Sequence, residues 1–217
     1  MYNYIVIDYS VIDMANKDHS LDKKIIDSAL KEFLKEGYRD ASLRVIARDA
    51  NVTVGAIRTR YKTKDELFCS LLQPLTTQIE ALFITSKVDY YQASPLPLIE
   101  QIKLAMKRES EEIFNLLFSY YDEAILLLCK SEGSSMEHYF NKVVQRKSDE
   151  SILFFQEKGE QIDSNILNLL ISLQFYSYKK IIGEGYKKAE AKEYLSTLMS
   201  YHFFGWVEVL SKGEEEL

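Results

Sequence analysis

An all-α fold is predicted for this 217-residue chain, and three observations predict it. Apolar residues recur at three- and four-residue spacing through most of its length, which lines one face of a helix. Only three prolines and eight glycines occur, too few to turn the many short strands of an all-β fold. The breakers sit between periodic stretches, at 36–38, 94–97, 130–133, 158–159 and 183–185. The chain is 47% hydrophobic and 28% charged, enough to bury a core in one or two domains. About nine helices are expected.

Residues 1–13, MYNYIVIDYSVID, stand apart. They read as a strand-like extension before a second possible start at Met14, and they hold no Lys or Arg for a minor-groove arm. The first helix spans about 22–36, through Ile25, Ile26, Ala29, Leu30, Phe33 and Leu34, and stops at Gly37. Short helices follow at 43–50 and 54–61. A fourth begins near Lys64, with Thr63 as its cap and acids in its first turn. It continues past Leu82 with Pro74 inside, where a kink or break is expected. Ser94-Pro95-Leu96-Pro97 marks a boundary. Later helices are expected at about 98–118, 120–128, 134–157 with Ser134-Ser135 opening it, 163–182, and 189–212. This divides the chain into an extension (1–19), a first helical domain (20–80, with two short helices and a tight turn at 42–61) and a second helical domain (81–217).

The stretch LRVIARDANVTVGAIRTRY, residues 43–61, carries the chemistry. Leu43, Ile46, Ala47 and Ala50 give its first helix one apolar face, and Ser42 stands where a hydroxyl caps the first turn. Asn51-Val52-Thr53 interrupts the pattern. Thr53 caps a second helix that buries Val52, Ile57 and Tyr61. Gly55 has no Cβ, so a bulky partner can approach. Arg58 and Arg60 follow. A helix too short to stand alone, presenting small and cationic groups, suits the DNA major groove.

The run IIDSALKEFLKEGYRDASLRVIARDANVTVGAIRTRYKTKDELF resembles the DNA-binding domain of the TetR family of transcriptional regulators. The resemblance rests on Phe33, Gly37-Tyr38, Ser42, Ile46-Ala47, Val52-Thr53-x-Gly55-x-Ile57, Tyr61 and Lys64-x-Glu66-Leu67, over residues 22–72. It implies a three-helix head joined by the fourth helix to a ligand-binding and dimerising body. The groove-facing candidates are Ser42, Arg44, Thr53, Val54, Gly55, Ala56, Arg58, Thr59, Tyr61 and Lys64. One position departs: the family usually has an aromatic, most often Tyr, where this chain has Arg58.

Net charge is −6, yet residues 21–70 hold 11 Lys and Arg against 8 Asp and Glu, while the remainder nets −9. A basic head on an acidic body orients toward a polyanion. Cys69 and Cys129 lack metal-ligand spacing and are expected to be buried free thiols. His19, His138 and His202 are too scattered for a metal site. No phosphate-binding glycine loop, HExxH, CxxC or nucleophile motif occurs. Enzymatic activity, a cofactor and a bound metal are therefore not expected. No uninterrupted apolar run reaches the roughly 18 residues of a membrane span, and no signal peptide is read at the N-terminus. A cytoplasmic protein is the expectation.

The body carries many aromatics, most of them core or interface. An apolar pocket with a few carboxylates is consistent with that surplus, and the resemblance supports one. Candidate walls are Glu109, Glu112, Phe118, Tyr121, Asp122, Tyr139, Phe155, Phe175 and Tyr176. The last two helices are expected to pair two copies through Leu169, Leu173, Leu198, His202, Gly205 and Trp206, as a self-complementary four-helix contact. The implied function is a repressor that binds an inverted-repeat DNA operator as a homodimer and responds to a small-molecule effector. The alternative is a helical protein–protein adaptor that has lost DNA binding. The retained cations at Arg44, Arg58, Arg60 and Lys64 favour the first.

Overall fold

A computed structural model describes residues 19–90, 95–160 and 162–215, with side chains over 21–84, 95–160 and 162–209. Residues 1–13, Ser94 of the boundary and the acidic tail's side chains lie outside the described set. Among the described residues there are nine helices: α1 (His19–Asp40), α2 (Leu43–Asp49), α3 (Val54–Arg60), α4 (Lys64–Tyr90), α5 (Leu98–Ser119), α6 (Tyr121–Cys129), α7 (Tyr139–Glu157), α8 (Ser164–Glu184) and α9 (Lys188–Glu215).

The head forms where the short helices find apolar partners. Ile25, Ala29 and Phe33 of α1, Ile46 and Ala47 of α2, Ile57 of α3 and Leu67, Phe68, Leu71 and Leu72 of α4 make one buried cluster. Phe33 and Phe68 meet edge to face at 4.9 Å, and each is fully buried, contributing about 1.5–3 kcal/mol. Gly37 adopts φ 77°, a left-handed conformation that costs glycine little. It ends the regular part of α1 and turns the chain so that the Tyr38 amide reaches the Lys130 carbonyl at 2.9 Å.

Helix α4 runs from this core into the body without a break. Of the kink or break expected at Pro74, the break does not occur. Pro74 is exposed, and on the solvent side water can serve the carbonyl that its ring leaves unbonded. Residues Lys64–Ile84 also form a 21-residue stretch long and apolar enough by composition to cross a membrane. That corrects the expectation drawn from uninterrupted runs alone. Here its Leu67, Phe68, Leu71, Leu72 and Leu75 go into the protein core.

The body packs α5 to α9 together, with α8 against α6, α7 and α9. One cluster joins Phe114, Leu117, Leu126, Tyr178, Ile182 and Leu195 to the head core. A second gathers Ile102, Met106, Val144, Phe155, Ile171 and Trp206. Helix α7 starts at Tyr139 rather than at Ser134. Serine hydroxyls and Gly133, at φ 82°, spend 131–137 on local turns instead. That loop docks on the head. The Ser135 amide donates to Asp65 Oδ1 at 2.9 Å, and Arg39 pairs with Glu132 at 2.6 Å. Cys69 is half-buried and Cys129, at the end of α6, is exposed. The expectation of two buried thiols fails for Cys129 because a helix end has no neighbour to cover it fully.

Candidate nucleic-acid interface and body cavity

Helix α2 begins at Ser42, whose hydroxyl accepts from the Arg44 amide at 3.3 Å, as a cap should. The Ser42 amide itself donates to buried Glu32 at 3.0 Å. Ser28 adds a bond to the Ile46 carbonyl at 3.0 Å. Helix α2 is thus held on α1 by polar as well as apolar contacts. The turn out of α2 is a Schellman motif with Asn51, φ 55°, in the left-handed place. Val52 N–H reaches Ala47 O at 2.8 Å, and Asn51 N–H reaches Arg48 O at 3.0 Å. Thr53 then caps α3 by accepting from the Ala56 amide at 3.0 Å.

Ile57 anchors α3 and is fully buried. The edge facing away from it exposes Thr53, Gly55, Arg58 and Thr59, with Val54 and Ala56 half-buried beside them. A Cβ at Gly55 would find only Thr53 Oγ1, at 3.6 Å. Glycine is therefore not demanded by packing within the chain, and the open space faces outward. Thr59 Oγ1 returns to the Gly55 carbonyl at 3.0 Å. Arg44 and Arg58 are exposed.

Two cations and one aromatic read as groove-facing are turned inward. Lys64 Nζ donates to the carbonyls of Tyr38 at 2.7 Å, Arg39 at 3.1 Å and Ala41 at 3.0 Å. It also lies 4.6 Å from the Tyr38 ring centre. An ammonium has three donors, so Lys64 closes the C-terminal end of α1 and has no donor left for a phosphate. Arg60 Nε pairs with Asp22 at the start of α1, with only 16% of its side chain exposed. It braces α3 instead of meeting DNA. Tyr61 ends α3 and packs, partly buried, on the head core. The capping signal ahead of α4 appears as expected: Thr63 Oγ1 accepts from the Glu66 amide at 3.0 Å.

A mostly apolar cavity that opens to solvent lies between α4 and the body. Its walls include Ile79, Leu82 and Phe83 of α4, Glu109, Glu112 and Leu116 of α5, Tyr139 and Phe140 of α7, and Phe175 of α8. A neighbouring cavity shares Glu109 and Phe175 and adds Lys147, Phe155 and Trp206. Lys147 and Glu109 form a buried ion pair at 2.5 Å. Of the nine candidate wall residues, Glu109, Glu112, Tyr139, Phe155 and Phe175 line one or both cavities. Four do not. Phe118 stacks on Tyr121 at 5.4 Å, and the Tyr121 hydroxyl is spent on the Ile182 carbonyl at 3.2 Å. Asp122 is exposed, and Tyr176 is exposed with its ring against Phe140. Phe118 and Tyr176 directly follow the wall residues Leu117 and Phe175, so each points about 100° round its helix from the wall.

Tyr139 and Arg146 meet on Glu80 of α4. The Tyr139 hydroxyl donates to Oε1 at 3.0 Å and Arg146 Nη1 to Oε2 at 2.7 Å. The guanidinium also lies 3.7 Å from the Phe83 ring centre. The bond from Arg146 holds the Glu80 carboxyl below its usual range. Burial, then Glu80, pushes the Tyr139 phenol up. Glu80, Arg146 and Lys147 were not among the sequence candidates; isolated charges on amphipathic helices give no signal. Among the described residues no group of three His, Cys, Asp or Glu side chains could hold a metal ion.

Residues 25–71 match the family model described as bacterial regulatory proteins, tetR family. The resemblance to the tetR family is carried by this N-terminal stretch. It is 32% identical over 89 residues to the uncharacterized HTH-type transcriptional regulator YhgD of Bacillus subtilis (strain 168). That match takes in 40% of this chain and 44% of the relative's length. Among solved structures, NalD of Pseudomonas aeruginosa, the secondary repressor of the MexAB-OprM multidrug efflux pump, is similar in fold. Its TM-score is 0.55 at 20% identity, over 87% of this chain and 98% of that one. FadR of Bacillus subtilis, solved with stearoyl-CoA, has a TM-score of 0.53 at 18% identity, over 82% and 98%.

The residues expected to pair two copies divide into two groups. Trp206 is 6% exposed and stacks on Phe155 at 5.8 Å. His202 is buried, with Nε2 3.1 Å from the Ser177 hydroxyl, and burial lowers its pKa. Leu198 is half-buried against the core. These three belong to the protomer's own interior, because α9 turns that stripe toward α8 and α5. Leu169 and Leu173 of α8 are exposed, as are Ile166, Tyr201 and Phe204. A Cβ at Gly205 would meet nothing within 4 Å.

Proposed function

We propose that this protein is a transcriptional repressor that binds an inverted-repeat operator as a two-fold dimer and is released by an apolar small molecule. One observation carries the reading. The edge of α3 offers Thr53, Gly55, Arg58 and Thr59 to the outside, while Lys64 and Arg60 are spent on contacts within the head. Arg44 supplies a further exposed charge. The groove-facing set is therefore Ser42, Arg44, Thr53, Val54, Gly55, Ala56, Arg58 and Thr59, without Lys64 and Tyr61. The exposed apolar stripe on α8 and α9 supports pairing through Leu169, Leu173, Tyr201, Phe204 and Gly205. The cavities beside α4 support an apolar effector, as does the acyl-CoA held by the similar FadR. The site of action would be the cytoplasm, where the operator is.

Selection of bound fragments from a random DNA pool, followed by gel shift across a salt series, tests this. The expected product is an inverted repeat with half-sites about one helical turn apart, bound less tightly as salt rises because phosphate contacts release counterions. Recovery of no preferred sequence, or binding indifferent to salt, would overturn it.

A further inference from the structure

Helix α4 is anchored unevenly. Its first three turns bury Leu67, Phe68, Leu71, Leu72 and Leu75. Over 80–84 the helix is less covered, with Glu80 and Ala81 exposed and Ile84 71% exposed. In this half α4 meets the body across the cavity, through Ile79, Leu82 and Phe83. The polar hold there is the Glu80 carboxylate, whose two oxygens are each taken by a different residue of α7. Glu80 lies 16 residues from the start of α4, about 24 Å along the axis. A small lateral movement there tilts the end that carries the head.

We propose that Glu80, gripped by Tyr139 and Arg146, is the latch that couples occupancy of this cavity to the DNA-binding head. The proposal rests on the ligand-released repressor reading above and names its coupling residues. Tyr139 is a wall of the cavity and a donor to Glu80 at once. Phe83, another wall, carries the guanidinium of Arg146 on its face. A molecule that enters between α4, α5 and α7 displaces those two rings, and both displacements act on the same carboxylate. The latched arrangement is the one that binds DNA; the unlatched one is the one that accommodates the molecule. Glu80 is not a cavity wall, so changing it alters the latch and leaves the binding surface intact.

The test uses the full chain, a DNA fragment that it selects, and N-phenyl-1-naphthylamine, a neutral dye that brightens in apolar surroundings. Affinity for each is measured separately in the wild type, in Glu80→Gln and in Arg146→Met. Weakening the latch shifts the population toward the unlatched state. The expected result is DNA affinity lowered by about threefold or more with dye affinity raised, a pair of opposite movements required by linkage. A purely structural loss lowers both. Arg146→Met keeps the inference testable if Glu80→Gln does not fold. Both affinities unchanged, or both moved in the same direction, overturns the latch while wild-type release of DNA by the dye keeps the repressor reading. A wild type whose DNA affinity ignores saturating dye overturns the ligand-release reading, and the latch falls with it.

Discussion

Lys64 leaves the groove-facing set and Arg58 stays in it. Lys64 donates to three carbonyls at the end of α1, where a cation also meets the negative end of the helix. Lys64→Met is therefore expected to lower head stability by about 2–3 kcal/mol, the cost of hydrogen bonds to a charged group. The salt slope of DNA binding should stay as it was; a slope lowered by one unit with stability intact would return Lys64 to the phosphate backbone. Arg58 stands exposed on the edge of α3. An arginine there can read guanine through O6 and N7 or grip a phosphate. With Lys64 withdrawn, fewer backbone contacts remain, but the Ser42 end of α2 still offers one. Base reading remains the expectation. Arg58→Ala should then cost on the order of 1–3 kcal/mol and relax preference at one position in each half-site. Uniform weakening of all sequences, with a lower salt slope, would assign Arg58 to a phosphate instead.

At the scale of the element, α8 and α9 present two different stripes. The inner stripe holds His202 against Ser177. Burial depresses the His202 pKa from 6.5, so the folded state binds a proton less readily than the unfolded one. The contribution is whole above about pH 6.5 and is lost as pH falls through that value toward the folded pKa. Melting temperatures of the wild type and His202→Gln should converge or cross between pH 7.5 and 5.5, with the wild type losing more. Parallel curves over that range would show that the imidazole does not titrate against folding. The outer stripe leaves Leu173 at 51%, Tyr201 at 73% and Phe204 at 70% exposure, an apolar strip of the kind that monomers seldom keep. Leu173→Glu combined with Phe204→Glu should yield a monomer in sedimentation at micromolar concentration. Trp206→Phe should leave the assembly unchanged, since Trp206 faces its own core. A wild type that sediments as a monomer would sink the pairing.

The whole molecule joins a head to a body through α4, through α1 packed on α6, and through the 130–135 segment that touches Tyr38, Arg39 and Asp65. That segment holds the near end of α4 while Glu80 is held on α7, so a shift at Glu80 is carried along the helix to the head. Loss of the loop contact in Asp65→Ala, which removes the acceptor for the Ser135 amide, is expected to weaken the response of DNA binding to dye, with little change in dye affinity itself. Calorimetry that finds the dye–DNA coupling unchanged in this variant would assign the transmission to α4 alone.

The sequence by itself determined the helical class, the head and its motif, because those signals are local. A cap at Ser42 or Thr53, a turn at Asn51 and apolar spacing around Ile57 act within a few residues of the groups that they bond. The same locality explains why α1, α5, α6 and α8 began and ended near their expected places. Tertiary structure decided which of several equivalent charges faces outward. Lys64 and Arg58 look alike in one dimension; only the approach of three carbonyls from α1, over 20 residues away in the chain, turns one of them inward. It also decided which stripe of α9 is core, since Trp206 and Phe204 are two residues apart and end on opposite sides. The grip on Glu80 spans 59 residues to Tyr139 and 66 to Arg146. Contacts at such separations follow from how whole helices pack, and no periodicity along the chain encodes them.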